Sequence, residues 1–182
     1  MAEYTDEELL EQFRNPDTRN YAFNLLVRKH QQRLYWHVRR IVIDHDDAND
    51  VIQNVFIKVW KALDGFRQDA QLYTWLYRIA TNESVTFLNQ KKKRFTISLD
   101  GVEQELSNHL TNDTYFSGDK IQMKLQQAVL KLPTQQRLVF NMKYFDGMKY
   151  EEIAEILNLS VGGLKASYHH AVKKIEKYIT GS

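Results

Sequence analysis

The chain has 182 residues, 43% of them hydrophobic, no cysteine and a formal net charge of +2, enough apolar material for one core or two small ones. The lack of cysteine excludes disulfides and thiolate metal sites, no apolar run approaches the ~18 to 20 residues of a membrane span, and the acidic opening "MAEYTDEELL" has no apolar export segment behind it. The expectation is a cytoplasmic protein without membrane insertion, in which two basic segments, residues 65–94 and 121–182, flank an acidic one, residues 95–120.

Seven glycines and two prolines leave long stretches with apolar spacing of three and four, which predicts an all-α fold. The first element is a helix over "TDEELLEQF", opened by Thr5 or Asp6 with Glu8 as the reciprocal cap. "NPD" at Asn15 to Asp17 restarts the chain into a long helix ending near Ile43. "DHDDAND" then opens a third helix, where Asp44, Asp46, Asp47 and Asp50 either complement the helix dipole or face a partner. At 100° per residue, Val51, Val55, Phe56, Val59 and Leu63 share a buried side, while Asp50, Gln53, Asn54 and Lys61 share the other. Ile57 falls among the polar residues, in a strip that could serve for docking.

A short loop, "FRQDAQ", leads into "LYTWLYRIATNESVTFLNQKKKR". The wheel places Leu72, Leu76, Ile79, Ala80 and Phe87 inside, and Thr74, Tyr77, Arg78, Thr81 and Asn82 outside, with Tyr73 and Trp75 at the borders. Aromatic, amide and guanidinium groups on one side suit single-stranded nucleic acid, by stacking on bases and holding phosphates. The plainer reading makes the aromatics core and Lys91 to Arg94 a complement to the helix C-terminus; periodicity leaves both open. Glu83, central on the apolar face, calls for a partner such as Arg39 or Arg40.

Residues 96–120, rich in Ser, Thr, Asn and Asp and without sustained periodicity, read as a flexible acidic linker between a domain at 1–95 and a second at 121–182. In the second, "DKIQMKLQQAVLKLP" is a helix ended by Pro133, "TQQRLVFNMKYF" is a helix with Thr134 as N-cap, and Asp146-Gly147 is a turn. "YEEIAEILNL" and "SVGGLKASYHHAVKKIEKYI" follow, joined through a left-handed Asn158 with Ser160 as cap, a helix-turn-helix pattern. Val161, Leu164, Tyr168, Ala171, Val172, Ile175 and Ile179 form the inner face of the last helix. Gly162, Ala166, His169, His170 and Lys173 lie opposite, flanked by Gly163, Lys165 and Lys174. Two glycines would cost about 1 kcal/mol each for nothing in a plain surface helix; close approach to DNA gives them a use. The adjacent histidines diverge by about 100° and make no metal site.

Taken in order, "DDANDVIQNVFIKVW", "FRQDAQLYTWLYRIATN", "KKKR" and "LPTQQRLVFNMKYFDGMKYEEIAEILNLSVGGLKASYHHAVKKI" resemble the extracytoplasmic-function (group IV) sigma factors of bacterial RNA polymerase. The resemblance implies a sigma region 2 domain at 1–95, an acidic linker at 96–120 that threads the polymerase channels, and a region 4 helix-turn-helix domain at 121–182. It implies that Asp47, Asp50, Gln53, Asn54 and Ile57 dock on the clamp helices of the largest polymerase subunit. Phe66, Arg67, Asp69, Ala70 and Gln71 would hold a base flipped from the minus-10 element, Tyr73, Trp75, Arg78 and Asn82 would line the melted strand, and Lys91, Lys92, Lys93 and Arg94 would contact backbone. Ser160, Gly162, Gly163, Lys165, Ala166, His169, His170 and Lys173 would meet the minus-35 major groove, with Lys143 and Tyr150 on phosphates.

The implied partners are core polymerase (clamp helices and flap region), promoter DNA, and an anti-sigma factor or another recruiting protein; no cofactor, metal or catalysis is implied. The chain departs from the family pattern in carrying Gly163 for Thr, Ala166 for Ser, Ser167 and His170 for Arg, Lys149 for a Ser or Thr cap, and Asn54 for Glu. Fewer cations predict a weaker upstream phosphate contact. The competing readings are a stand-alone helix-turn-helix regulator that never opens duplex DNA, and an all-helical adaptor that binds only protein.

Overall fold

Thr5 starts the first helix by a reciprocal cap: its hydroxyl accepts from the Glu8 N–H at 3.2 Å, and the Glu8 carboxylate accepts from the Thr5 N–H at 2.7 Å. The structure, a computed structural model, describes residues 3–94, 99–113 and 119–181. Its first half contains α1 (Asp6–Arg14), α2 (Arg19–Val42), α3 (His45–Ala62) and α4 (Leu72–Arg94), with a tight turn at Leu63–Gly65 ahead of the loop 66–71. The expected end of the long helix is marked by Ile43 at φ 68°, a conformation unfavourable for a β-branched residue. Asp44 then caps α3, accepting from the Asp47 N–H at 2.9 Å.

The buried stripes meet as their spacing requires. Val51, Val55, Val59 and Leu63 of the α3 side are buried with Phe13, Leu26, Val38 and Leu76 from its neighbours. Phe13 meets Trp60 edge-on at 5.4 Å, and the Arg19 guanidinium lies over both rings at 4.2 and 5.0 Å. Arg19 also pairs with Asp64 at 2.6 Å, which ties the start of α2 to the turn after α3.

The segment read as lacking periodicity contains a helix, α5 (Leu99–Asn112). Leu106 and Leu110, one helical turn apart, are buried in the core, and His109 reaches Asp44 at 3.2 Å while Glu105 pairs with Lys91 at 3.0 Å. Asp113 pairs with Arg39. Beside the two buried leucines, Glu105 and Asp113 thus set part of the segment's acidic character against basic groups of the first half. Its two ends, 95–98 and 114–118, lie outside the described residues.

The second half consists of α6 (Lys120–Leu130), α7 (Thr134–Phe140), α8 (Tyr150–Leu157) and α9 (Val161–Thr180), with a wide, π-type turn at Asn141–Phe145 between α7 and α8. Asp119 caps α6. Pro133, not Thr134, occupies the cap position of α7 and Thr134 is its first helical residue, because proline has no N–H and its fixed φ suits the extended cap. Gly147 takes φ 63° in the turn before α8. The two halves are in contact: α8 lies across α4, the Asn141–Phe145 turn touches α2, and one buried cluster runs from Leu76 and Tyr77 to Met148, Ile153 and Ile156.

Candidate functional site

Three surfaces gather the residues singled out from the sequence. On α3, Asp50, Gln53, Asn54 and Ile57 are exposed, Ile57 by 53%, so the polar strip with one apolar residue is real. Asp47 is engaged, accepting from Lys91 Nζ at 3.0 Å. Beside the strip, Phe23, Ile52, Phe56 and Trp60 line a shallow apolar groove with Ile57. The sequence reading passed over Ile52 and Trp60, although Ile52, Phe56 and Trp60 recur at the four-residue spacing of one helix face.

On α4 the structure corrects the wheel. Thr74, Tyr77 and Thr81, expected outside, are each no more than 2% exposed, because α2, α3 and α8 all pack on this helix and leave only a narrow strip uncovered. Thr81 Oγ1 lies 2.7 Å from His37 Nε2, and the Tyr77 ring packs on the His37 ring at 4.6 Å. Burial pushes the Tyr77 phenol well above its usual range, and the nearby Asp146 carboxylate adds to the effect. Arg78 and Asn82 remain on the outer side and Tyr73 and Trp75 are half-buried. Glu83 pairs with Lys58 rather than with Arg39 or Arg40, which are drawn instead to Asp113 and Asp146.

The loop before α4 turns sharply at Gln68, φ 60°. Phe66, 8% exposed, packs on Trp75 at 5.1 Å. With Arg67, Asp69, Ala70, Trp75 and Arg78 it lines a cleft of about 350 Å³. Of the basic run, Lys93 and Arg94 are exposed. Lys91 is held between Asp47 and Glu105, each at 3.0 Å; partial burial works against its charge, but hydrogen bonds to the two carboxylates outweigh it and raise the ammonium above its ordinary range.

The third surface is the outer side of α9. Asn158 takes the left-handed conformation, φ 55° and ψ 48°, and the Ser160 hydroxyl accepts from the Gly163 N–H at 3.1 Å. This turn sets α9 against α8 with Leu164 buried, while Ala171 and Ile175 further along are buried with Val129 of α6 and Phe140 of α7. Ile179, assigned to the inner face, is 37% exposed, since the helix has outrun its neighbours by its last turn. Gly162, Gly163, Lys165, Ala166, His169, His170 and Lys173 are all exposed. A Cβ on Gly163 would meet Ser160 Oγ at 3.0 Å, whereas one on Gly162 would meet open space. Lys143 and Lys165 approach the Tyr150 ring at 4.6 and 5.8 Å, which groups two cations with one phenol at the edge of this face. Among the described residues no group of three or more His, Asp or Glu could hold a metal ion, and no helix is long and apolar enough to cross a membrane.

Helices of this order define an all-α class of two joined halves, the second ending in a helix-turn-helix. The family described as Sigma-70 region 2 matches residues 26–94, and that described as Sigma-70, region 4 matches residues 122–175. RNA polymerase sigma-H factor of Pseudomonas aeruginosa is 31% identical, across 97% of this chain and 95% of its own. ECF RNA polymerase sigma-E factor of Escherichia coli is 32% identical, across 96% and 94%. Among solved structures, CnrH in complex with the cytosolic domain of CnrY aligns with a TM-score of 0.70 at 26% identity, covering 97% of this chain and 98% of that one. The sigma factor RpoE in complex with the anti-sigma factor NepR, from Bartonella quintana, aligns at 0.67 over 87% and 96%; at 21% identity that likeness is one of fold. The chain belongs to the extracytoplasmic-function, or group IV, sigma factors.

Proposed function

We propose that this chain binds core RNA polymerase, directs it to specific promoters and helps open the minus-10 element, leaving synthesis to the polymerase. The observation that carries the reading is the presence of two exposed faces of unlike chemistry on one chain. The α4 face offers stacking rings, a guanidinium and an amide, Tyr73, Trp75, Arg78 and Asn82, next to the cleft at Phe66 to Gln71. Such a face binds unpaired bases, which a duplex does not present. The α9 face offers small residues and exposed cations behind a fixed turn, the shape that enters a major groove. A stand-alone duplex-binding regulator has use for the second face alone, and a protein-only adaptor for neither.

In this reading the exposed strip of Asp50, Gln53, Asn54 and Ile57 docks on the polymerase clamp helices, with the Ile52, Phe56 and Trp60 groove beside it adding apolar area. The likeness to CnrH, solved with the cytosolic domain of CnrY, supports a protein partner for this chain, which in this reading is an anti-sigma factor. A factor that acts on chromosomal promoters in this way works in the cytoplasm. The test adds purified chain to core polymerase of the source lineage and maps transcript starts on genomic DNA, with a Trp75→Ala, Asn82→Ala variant alongside. Discrete starts that the variant loses are expected. Retained duplex binding without any start would shift the reading to the stand-alone regulator.

A further inference from the structure

A cavity for which the sigma-factor reading has no use opens where the last turns of α4, helix α5 and the α6–α7 turn meet. It measures about 390 Å³, inside the range of roughly 300 to 1,000 Å³ that small-ligand pockets occupy. Val85 and Leu88 of α4, Leu106 of α5, Leu130 of α6 and Leu132 of the following turn line it. The leucines are each no more than 8% exposed. The wall is therefore apolar and is held in place by the core to which it belongs.

The rim has the opposite character and a single sign. Lys92 of α4, Lys131 of the turn and Arg137 of α7 line the same cavity, and no carboxylate is found among the described residues around it. Lys91, one position earlier, shows the contrast, since Asp47 and Glu105 hold it from both sides. Lys92 is half-buried and Lys131 exposed, and among the described residues neither has a carboxylate partner. Lys131 Nζ lies 5.2 Å from the centre of the Tyr178 ring, a contact that does not neutralise its charge. A neutral apolar guest would cover these ammonium groups without offsetting their lost hydration. A small hydrated anion would satisfy them and leave the apolar wall in water. One molecule meets both demands only if it carries an anionic head on an apolar body.

We propose that this cavity binds an amphipathic anion, a small molecule with a carboxylate or phosphate head held by Lys92 and Lys131 and an apolar body laid against Leu88, Leu106, Leu130 and Leu132. The site is apart from the α3 strip, the Phe66–Trp75 cleft and the α9 face, and shares only Lys92 with the basic run at the end of α4. A ligand that needs the assembled wall binds the folded chain alone, so its binding raises the melting temperature.

The test titrates the full chain by calorimetry, at one ionic strength and below micelle formation. The probes are hexanoate, octanoate, decanoate and octyl phosphate, with octanol as the body without a charge and sulfate as the charge without a body. Octanoate and octyl phosphate should bind at one saturable site, and the carboxylates should tighten by about fourfold per added methylene until the cavity is filled. Octanol should bind about tenfold more weakly, the worth of one charge-assisted contact, and sulfate should not bind measurably. Lys92→Gln with Lys131→Gln should weaken octanoate by about tenfold and leave octanol unchanged, whereas Val85→Phe, which fills the cavity, should weaken both. The glutamine pair alters only rim side chains, so it decides the matter if Val85→Phe fails to fold. No binding by any amphiphile, or binding that the glutamine pair leaves unchanged, overturns the proposal. Octanol as tight as octanoate would mean a plain apolar pocket, and sulfate as tight as octanoate a plain cation pair; each overturns it too. None of these titrations contains polymerase or DNA, so their outcome is independent of the sigma-factor reading.

Discussion

Trp75 shows how one side chain serves two ends. Its ring packs on Phe66 at 5.1 Å and is partly exposed at the cleft. Trp75→Ala should therefore lower strand binding by about 1 to 3 kcal/mol, the worth of one base–aromatic stack. Gel-shift titration with single-stranded DNA and polymerase together would measure it; duplex binding by α9 should not move. His30 gives the chain an acid-sensitive contact. Burial lowers its pKa from the ordinary 6.5, and burial prevails over the hydrogen bond to Asp6 at 3.0 Å and over that carboxylate's charge, with Lys29 and Arg33 lowering it further. Asp6 is itself pushed up by burial, but hydrogen bonds from Lys29 and His30 outweigh that and its pKa falls below 3.8.

Both depressed groups stabilise the fold above their unfolded values and lose that contribution as pH falls, His30 below 6.5 and Asp6 below 3.8. The melting temperature of the wild type should therefore drop more steeply between neutral pH and about pH 5 than that of His30→Gln. Equal slopes by calorimetry would remove His30 from the account. Some residue-scale features were open to sequence reading, such as the Thr5–Glu8 cap and the left-handed Asn158. The partner of Glu83 was not: Lys58 lies 25 positions away in the chain, and only the packing of α3 on α4 brings the two together.

At the scale of elements, the caps offer the cleanest tests. Lys149 occupies the N-cap of α8 with extended backbone but supplies no side-chain acceptor there; only the return half of the exchange is made, from the Lys149 N–H to Glu152 at 2.9 Å. Lys149→Ser should add about 0.5 to 1 kcal/mol of stability, read as a rise in the denaturant midpoint. Ser160→Ala, which removes the acceptor for the Gly163 N–H, should cost about 1 kcal/mol and loosen the turn that aims α9. Helix α5 marks where pattern reading stopped short. Its polar composition suggested irregular chain, yet Leu106 and Leu110 a turn apart are enough once α6 and the first half supply a surface to cover them. On α4 the opposite error arose, since a wheel assumes one buried side and this helix is enclosed on three.

Considered whole, the molecule in the proposed function has one face for polymerase, one for single strands and one for duplex, and the last is sparsely charged. Replacing His170, exposed on α9, with Arg should add one phosphate contact and steepen the dependence of log affinity on log salt by about 0.9, measured on minus-35 duplex with the assembled polymerase. An unchanged slope would mean that position 170 does not reach the backbone. What the sequence by itself determined was the all-helical class, most helix limits, the exposed strip of α3 and the two faces of α9, because each follows from residue period, caps and turns within a few neighbours. Only the tertiary structure decided which sides of α4 are covered, that the acidic segment folds onto basic groups of the first half, and that Asp146 pairs with Arg40. Those outcomes depend on pairing residues as far as 106 positions apart, and a local pattern contains no information about which distant surface will meet it.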